Sequence, residues 1–256
     1  MVNLTGRHIA ITRPLDQATR LTSMIEAAGG HAIGFPLIAI APLQDYSSFE
    51  QTLDEVTMQD WLIFISSNAV QHAMSRLQAK LPQWPPAKPQ FAAIGPVTAS
   101  QLMQYGITNV LQPEHRFDSE SLLALPQMQA VKGLRIMIVR GVGGRELMAD
   151  TLRDRGAEVR FAECYRRINP QADAGKLQSL WHNGQLDTIV VTSSEAMRNL
   201  LAMTGSGTAE WLRDITICVN HARIAELPSS LGLRVLIASA PGDDAMMQCL
   251  SKVNHD

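Results

Sequence analysis

Residues 134–167, LRIMIVRGVGGRELMADTLRDRGAEVRFAECYRR, decide how the chain is read. An apolar run rich in β-branched residues predicts a buried strand. A glycine-rich turn follows, then apolar positions at helical spacing, a stop at Gly156 and a second strand. The polar chemistry gathers at the two turns. Arg140, Gly141, Gly143, Gly144 and Arg145 lie at one, and Tyr165, Arg166 and Arg167 at the other.

The same pattern occurs earlier in the chain. Ile11-Thr12-Arg13-Pro14 aligns with Ile138-Val139-Arg140-Gly141, Gly29 with Gly156, and Ser66-Ser67 with Ser193-Ser194, all at an offset of 127. Gly106 aligns with Gly232 at 126. A constant offset across several blocks predicts an internal duplication and hence two similar domains.

Outward from these blocks, strands and helices alternate. HIAITR (8–13), HAIGFP (31–36), WLIFISS (61–67), FAAIG (91–95), NVLQP (109–113), TIVVTSS (188–194), ITICV (215–219) and RVLIASA (234–240) read as strands. Helices fall between them, including a polar one over 47–57, one opened by Pro96, one capped near Asp118 and Ser119, and one ending near Gly205. Strands apolar on both faces predict an α/β fold of parallel sheets flanked by helices.

A division near residue 130 is the simple reading of the duplication. The extended stretches 31–42 and 158–170 favour another, because each is too long for one strand of five or six residues. If each leaves one sheet and enters the other, residues 1–36 join 170–256 in one domain, and 42–163 form the second. Segments 37–41 and 164–169 then make a two-stranded connector and hinge, with a binding cleft expected between the domains.

Composition limits the function. A net charge of -2 argues against a nucleic-acid-coating surface, and no apolar run approaches the roughly 20 residues of a membrane span. Three scattered cysteines without a CxxC indicate free thiols in a reducing compartment. With no export signal at the start, a cytoplasmic location is expected. The seven histidines show no i, i+4 pair, so no metal site is expected. Gly141-Val142-Gly143-Gly144 resembles a dinucleotide loop, but Glu146 stands where its third glycine belongs and the earlier copy has Arg13-Pro14; this argues against a nucleotide.

In a parallel sheet, ligands bind beyond the carboxyl ends of the strands. The residues expected there are Arg13, Ser66, Ser67, Asn68, Gly95, Arg140, Gly141, Gly144, Arg145, Ser193, Ser194 and His221. As a set they offer peptide N–H groups, hydroxyls and guanidinium groups suited to a multiply anionic ligand. Singly, each Ser or Asn reads better as a helix N-cap; it is the set that favours a ligand. Tyr165, on the connector, reads either as a proton or hydrogen-bond donor or as a half-buried packing residue of the hinge.

The motifs ITRP (11–14), FISSNAV (64–70), AIGPVTA (93–99), SESLLALP (119–126), VRGVGGRELMADTLRDRGA (139–157), ECYRR (163–167), TSSEAMRNL (192–200) and RIAE (223–226) occur together and in order. In them the chain resembles the uroporphyrinogen-III synthase family over almost its whole length. The resemblance implies two α/β domains joined by a two-stranded connector, with the active site between them. It implies a lyase that takes hydroxymethylbilane, a linear tetrapyrrole rimmed by carboxylates, removes its hydroxyl as water and closes the ring with inversion of ring D, giving uroporphyrinogen III for haem and sirohaem. No cofactor is implied. The family tyrosine matches Tyr165, as helper of hydroxyl departure, and the family threonine matches Thr98; His221-Ala222 stand where the other repeat has Gly95-Pro96. A monomer is expected, with transient contact to hydroxymethylbilane synthase. The alternative is a non-catalytic two-domain protein that clasps an anionic metabolite.

Overall fold

The computed structural model describes residues 2–81, 83–171, 173–204 and 210–253. In chain order, β1 (His8–Ile11) leads into α1 (Leu15–Ala27) and β2 (His31–Gly34), and after a break at Phe35-Pro36 the chain resumes as β3 (Ala39–Pro42). There follow α2 (Ser47–Leu53), a 3-10 turn (Val56–Met58), β4 (Trp61–Phe64), α3 (Ser67–Lys80), β5 (Gln90–Ala93), α4 (Pro96–Gln104), β6 (Val110–Leu111), α5 (Ser119–Leu123) and α6 (Pro126–Gln129). The second half holds β7 (Arg135–Gly141), α7 (Leu147–Asp154), β8 (Glu158–Ile168), α8 (Gly175–His182), β9 (Thr188–Val191), α9 (Ser194–Met203), α10 (Glu210–Asp214), β10 (Thr216–Val219), α11 (Ala222–Ser230), β11 (Arg234–Ile237) and α12 (Asp243–Leu250).

The local chemistry accounts for most boundaries. Gly29 (φ 85°) and Gly156 (φ 86°) stop α1 and α7 in the left-handed conformation that only glycine adopts freely. Asp118 caps α5 by accepting the Ser121 N–H, and Pro96 opens α4 where no N–H is needed. Two expectations change. The strands expected over 61–67 and 188–194 end at Phe64 and Val191, because Ser66 and Ser193 turn their hydroxyls onto the amides of the following helices. The helix expected over 47–57 is divided at Asp54 into α2 and the 3-10 turn. The stop expected at Gly205 lies outside the described residues.

The chain forms two compact units, Met1–Ala39 with Ile168–Asp256, and Ile40–Arg167. The first unit holds a sheet ordered β11-β10-β9-β1-β2, and the second a sheet ordered β6-β5-β4-β7-β8, extended beyond β8 by β3. The pairings of β1 to β2, β1 to β9, β9 to β10 and β10 to β11 are parallel, as are those of β7 to β8, β4 to β7, β4 to β5 and β5 to β6. The duplication is visible in the register. His8 pairs with His31, and their counterparts at the repeat offset, Arg135 and Glu158, pair in the same way. The first repeat contributes β1 and β2 to one sheet and β4, β5 and β6 to the other; the second contributes β7 and β8, then β9, β10 and β11.

Each sheet is buried on both faces. In β9, Ile189 and Val191 enter one core and Val190 the other; in β4, Leu62 and Phe64 divide from Trp61 and Ile63 in the same way. Every such side chain contributes about 1.5–3 kcal/mol on leaving water. α1 covers its face with Ala18, Leu21 and Ile25, a stripe at helical spacing. All three cysteines are buried and free. Among the described residues no helix is long and apolar enough to cross a membrane.

Candidate active site

Because the pairings of β1, β2, β9, β10 and β11, and those of β4, β5, β6, β7 and β8, are parallel, the turns after these strands gather along one edge of each sheet. In the second unit these are the turns after β4, β5 and β7, and the end of β8. Ser66 is the N-cap of α3. Its Oγ accepts the Ala69 N–H at 3.1 Å and lies 3.1 Å from the Tyr165 hydroxyl, with either atom able to donate. Tyr165 is 2 % exposed. Its ring rests on Gly141 so closely that a Cβ there would fall 2.5 Å from the ring. The His72 ring lies against it at 5.6 Å between centroids, and burial lowers the His72 pKa. Ser67 and Asn68 are half-buried in the first turn of α3.

The remaining candidates of this unit serve different ends. Gly95 makes room for Phe117, whose Cβ would lie 2.8 Å from a Cβ at that position, and Thr98 is buried in the first turn of α4. Arg140 is 3 % exposed, and its guanidinium folds back into the turn. Its Nε–H donates to Gly141 O at 3.1 Å, its Nη1–H to Arg145 O at 3.4 Å, and the group lies over the Phe161 ring at 4.6 Å. Gly144 (φ 103°) passes above it with no space for a side chain. Arg145 is exposed.

In the first unit, Arg13 Nη1–H donates to Asp243 Oδ1 at 2.5 Å and its Nε–H to Thr192 Oγ1 at 3.2 Å. Ser193 caps α9 through the Ala196 N–H at 3.0 Å. His221 caps α11, Nδ1 accepting the Arg223 N–H at 3.1 Å, so the neutral ring carries its proton on Nε2. Ser194 Oγ and Asn220 Oδ1 are buried with no hydrogen-bond partner among the described residues, a state that calls for a ligand or water.

Arg13 and Arg140 are engaged within their own units, because a buried guanidinium must find acceptors. Four apolar side chains in these turns are absent from the sequence-based candidates. Leu15 is 64 % exposed, Val97 69 %, Phe117 52 % and Val142 49 %. Leu15 and Val142 are counterparts at the repeat offset, so the duplication held a signal for them. Asn220 belongs to a turn visible in the sequence but not to the candidates drawn from it.

A cavity of about 720 Å³ lies at the opposite edge of β4 and β5, among Trp61, Gln90, Asn109 and Gln112; no basic residue lines it, so it does not suit a polyanion. Among the described residues no three His, Cys, Asp or Glu side chains form a group able to hold a metal ion.

Comparison with known proteins bears on this arrangement. The family model described as "Uroporphyrinogen-III synthase HemD" matches residues 19–248. The chain is 36 % identical over 244 residues to the uroporphyrinogen-III synthase of Salmonella typhimurium, covering 94 % of this chain and 99 % of that one. It is 35 % identical over 244 residues to the Escherichia coli protein of the same name, with the same coverage. Among solved structures, a mutant uroporphyrinogen III synthase of Thermus thermophilus superposes with a TM-score of 0.59 at 18 % identity, covering 94 % of this chain and 96 % of that one. The Helicobacter pylori uroporphyrinogen-III synthetase gives 0.57 at 15 % identity, over 94 % and 97 %. These two likenesses are of fold.

Proposed function

The chain belongs to the uroporphyrinogen-III synthase family and is a lyase that cyclises hydroxymethylbilane to uroporphyrinogen III; from that premise we propose that Tyr165 is its proton donor and that the turns described above hold the substrate. The observation that carries the reading is the Tyr165 hydroxyl bonded to the N-cap of α3, at the ligand-binding edge of its sheet. The phenol gives a proton to the departing hydroxyl, which leaves as water. The proton released by the pyrrole nitrogen as the azafulvene forms restores the phenol. Ring D then attacks through its substituted carbon, and fragmentation and reclosure of the spiro intermediate invert that ring.

The bilane is already activated, so the protein's task is chiefly to hold a flexible chain in one closure geometry. Each unit offers its own set of groups to substrate carboxylates: the second unit the peptide N–H groups at the starts of α3 and α4, the Ser67 hydroxyl, the Asn68 amide and the Arg145 guanidinium, and the first unit the peptide N–H groups at the starts of α9 and α11 and the Ser194 hydroxyl. Arg13, Arg140, Gly141 and Gly144 shape their turns, while Ser66, Ser193 and His221 keep cap amides in place. Thr98 and Gly95 set the start of α4. The apolar faces of the pyrroles meet exposed apolar side chains of these turns, Leu15 in the first unit and Val97, Phe117 and Val142 in the second. Asn220 and Ser194 gain partners when substrate binds.

The test is direct. The protein is incubated with hydroxymethylbilane and the oxidised products are separated by isomer. Isomer III in excess is expected; isomer I alone would overturn the reading. Tyr165→Phe is expected to lower kcat by about 10²-fold without changing the thermal midpoint by more than a few degrees. A variant with full turnover removes Tyr165 from its role.

A further inference from the structure

β8 breaks its own alternation. Val159 and Phe161 pack toward one core, while Ala162 and Cys164 enter the other; strict alternation would return Tyr165 to the first. Instead the ladder pairs Arg140 with Glu163 and Gly141 with Tyr165. Cys164 is one residue too many, and Tyr165 joins the same core as Cys164. Such a β-bulge re-aims the side chains beyond it.

The bulge is held in place by its extra residue. Cys164 Sγ lies 3.4 Å from Arg140 O and 3.6 Å from Ala69 O, so its proton is shared between a carbonyl of β7 and one in the first turn of α3. The same two elements supply Gly141, on which the Tyr165 ring rests, and Ser66, which meets its hydroxyl. Burial pushes the Cys164 thiol up to about 12, so it keeps its donor proton at neutral pH. The counterpart segment of the first unit is held in another way. There Leu37 and Ile38 occupy, at the repeat offset, the positions of Cys164 and Tyr165, and the Asn199 side-chain amide donates to Leu37 O at 2.7 Å.

We propose that the bulge at Cys164, pinned to β7 and α3 by the shared thiol hydrogen bond, aims the Tyr165 phenol at the substrate, with Cys164 a positioning residue that does not touch it. The inference rests on the reading of Tyr165 as proton donor.

Its test is a set of variants of the full chain, Cys164→Ala and Cys164→Ser, each made with Tyr165 intact and with Tyr165→Phe. Turnover of hydroxymethylbilane, KM, product isomers and thermal midpoint are measured for each. Cys164→Ala is expected to lower kcat about 10-fold with KM changed by less than about twofold, the pattern of a misplaced catalytic group. Cys164→Ser, whose hydroxyl donates to the same carbonyls, is expected to restore most of kcat. In the Tyr165→Phe background Cys164→Ala should cost nothing further. If Cys164→Ala does not fold, Cys164→Val replaces it, filling the volume without a donor. Wild-type kcat for Cys164→Ala beside an impaired Tyr165→Phe overturns the positioning role and leaves the tyrosine's role intact. Wild-type kcat for Tyr165→Phe overturns both. A loss of about 10-fold that persists in the Tyr165→Phe background, or that falls on KM, also overturns the positioning role.

Discussion

Segments 8–38 and 135–165 are two copies of one strand–turn–helix–strand unit, and they differ at the points where a strand ends. Each copy has an arginine at the equivalent position, Arg13 just past β1 and Arg140 at the end of β7. Arg13 meets the Asp243 carboxylate and the Thr192 hydroxyl. Arg140 instead bonds two carbonyls of its own turn and lies over Phe161. The next residue is Pro14 in one copy and Gly141 in the other, and only the glycine admits the ring of Tyr165. The second strand stops before Pro36 in one copy but runs through Glu163 to Ile168 in the other. The apolar strand residues thus preserve the fold in both, while the first copy devotes its turn to an ion pair and the second to seating a tyrosine.

That contrast is most severely tested at Asp243. Its side chain is 11 % exposed and that of Arg13 14 %, so removing one partner leaves a largely buried charge uncompensated. Asp243→Ala is expected to destabilise by about 3 kcal/mol, the low end for a broken buried pair because some solvent reaches it. Arg140→Leu, which loses guanidinium hydrogen bonds to two carbonyls but leaves no buried charge behind, should cost about 2 kcal/mol. Equal losses in urea denaturation would mean that the two arginines do the same work.

A second comparison sets Gly141 against Pro14. The added methyl of Gly141→Ala would lie 2.5 Å from the Tyr165 ring, and either the ring or β7 must move. The expected cost is about 2 kcal/mol of overpacking, with a fall in kcat because the phenol leaves Ser66. Pro14→Ala should cost less than about 1 kcal/mol, since it mainly frees the unfolded chain. An active Gly141→Ala would show that the seat of the ring does not matter to turnover.

The strands, the glycine stops and the duplication were legible because they depend on local apolar pattern and on φ > 0 at Gly29 and Gly156. The ends of β4 and β9 were not, since a serine after an apolar run reads as well for a strand end as for a cap. The engagement of Arg13 depends on Asp243, far along the chain, and no local pattern carries it. The bulge was hidden for a related reason. Cys164 and Tyr165 both suit a strand, and a slip of a single position leaves no mark in composition. Candidate site residues were legible as turn residues; which of them serve their own turn became visible only through their hydrogen bonds.

The capping serines provide a smaller test. Ser66 and Ser193 accept equivalent amides at 3.1 and 3.0 Å, but only Ser66 also meets a tyrosine. Replacing either by Ala should cost about 1 kcal/mol for the cap. Ser66→Ala should lose about 0.5–1 kcal/mol more for the contact with Tyr165. Equal denaturation midpoints would reduce Ser66 to a cap.

The smallest expected effect concerns the residue facing the tyrosine. His72 lies against Tyr165, and its counterpart in the other copy, at the repeat offset, is Asn199, which does not titrate. Burial lowers the His72 pKa in the folded protein below its ordinary value of 6.5. Above pH 6.5 both states hold a neutral ring, and the group adds nothing to the pH dependence. As pH falls below 6.5, the unfolded chain takes up a proton that the folded ring resists, so stability declines until the folded ring also protonates. His72→Asn, which gives this position the residue of the other copy, should remove that decline. The difference between the two proteins should be absent at pH 8 and appear below pH 6.5, smaller than the loss of one helix cap, about 1 kcal/mol. Parallel stability curves from pH 8 to pH 5 would show that the ring is as free to charge in the folded protein as in the unfolded chain, and that only the tyrosine separates the two copies there.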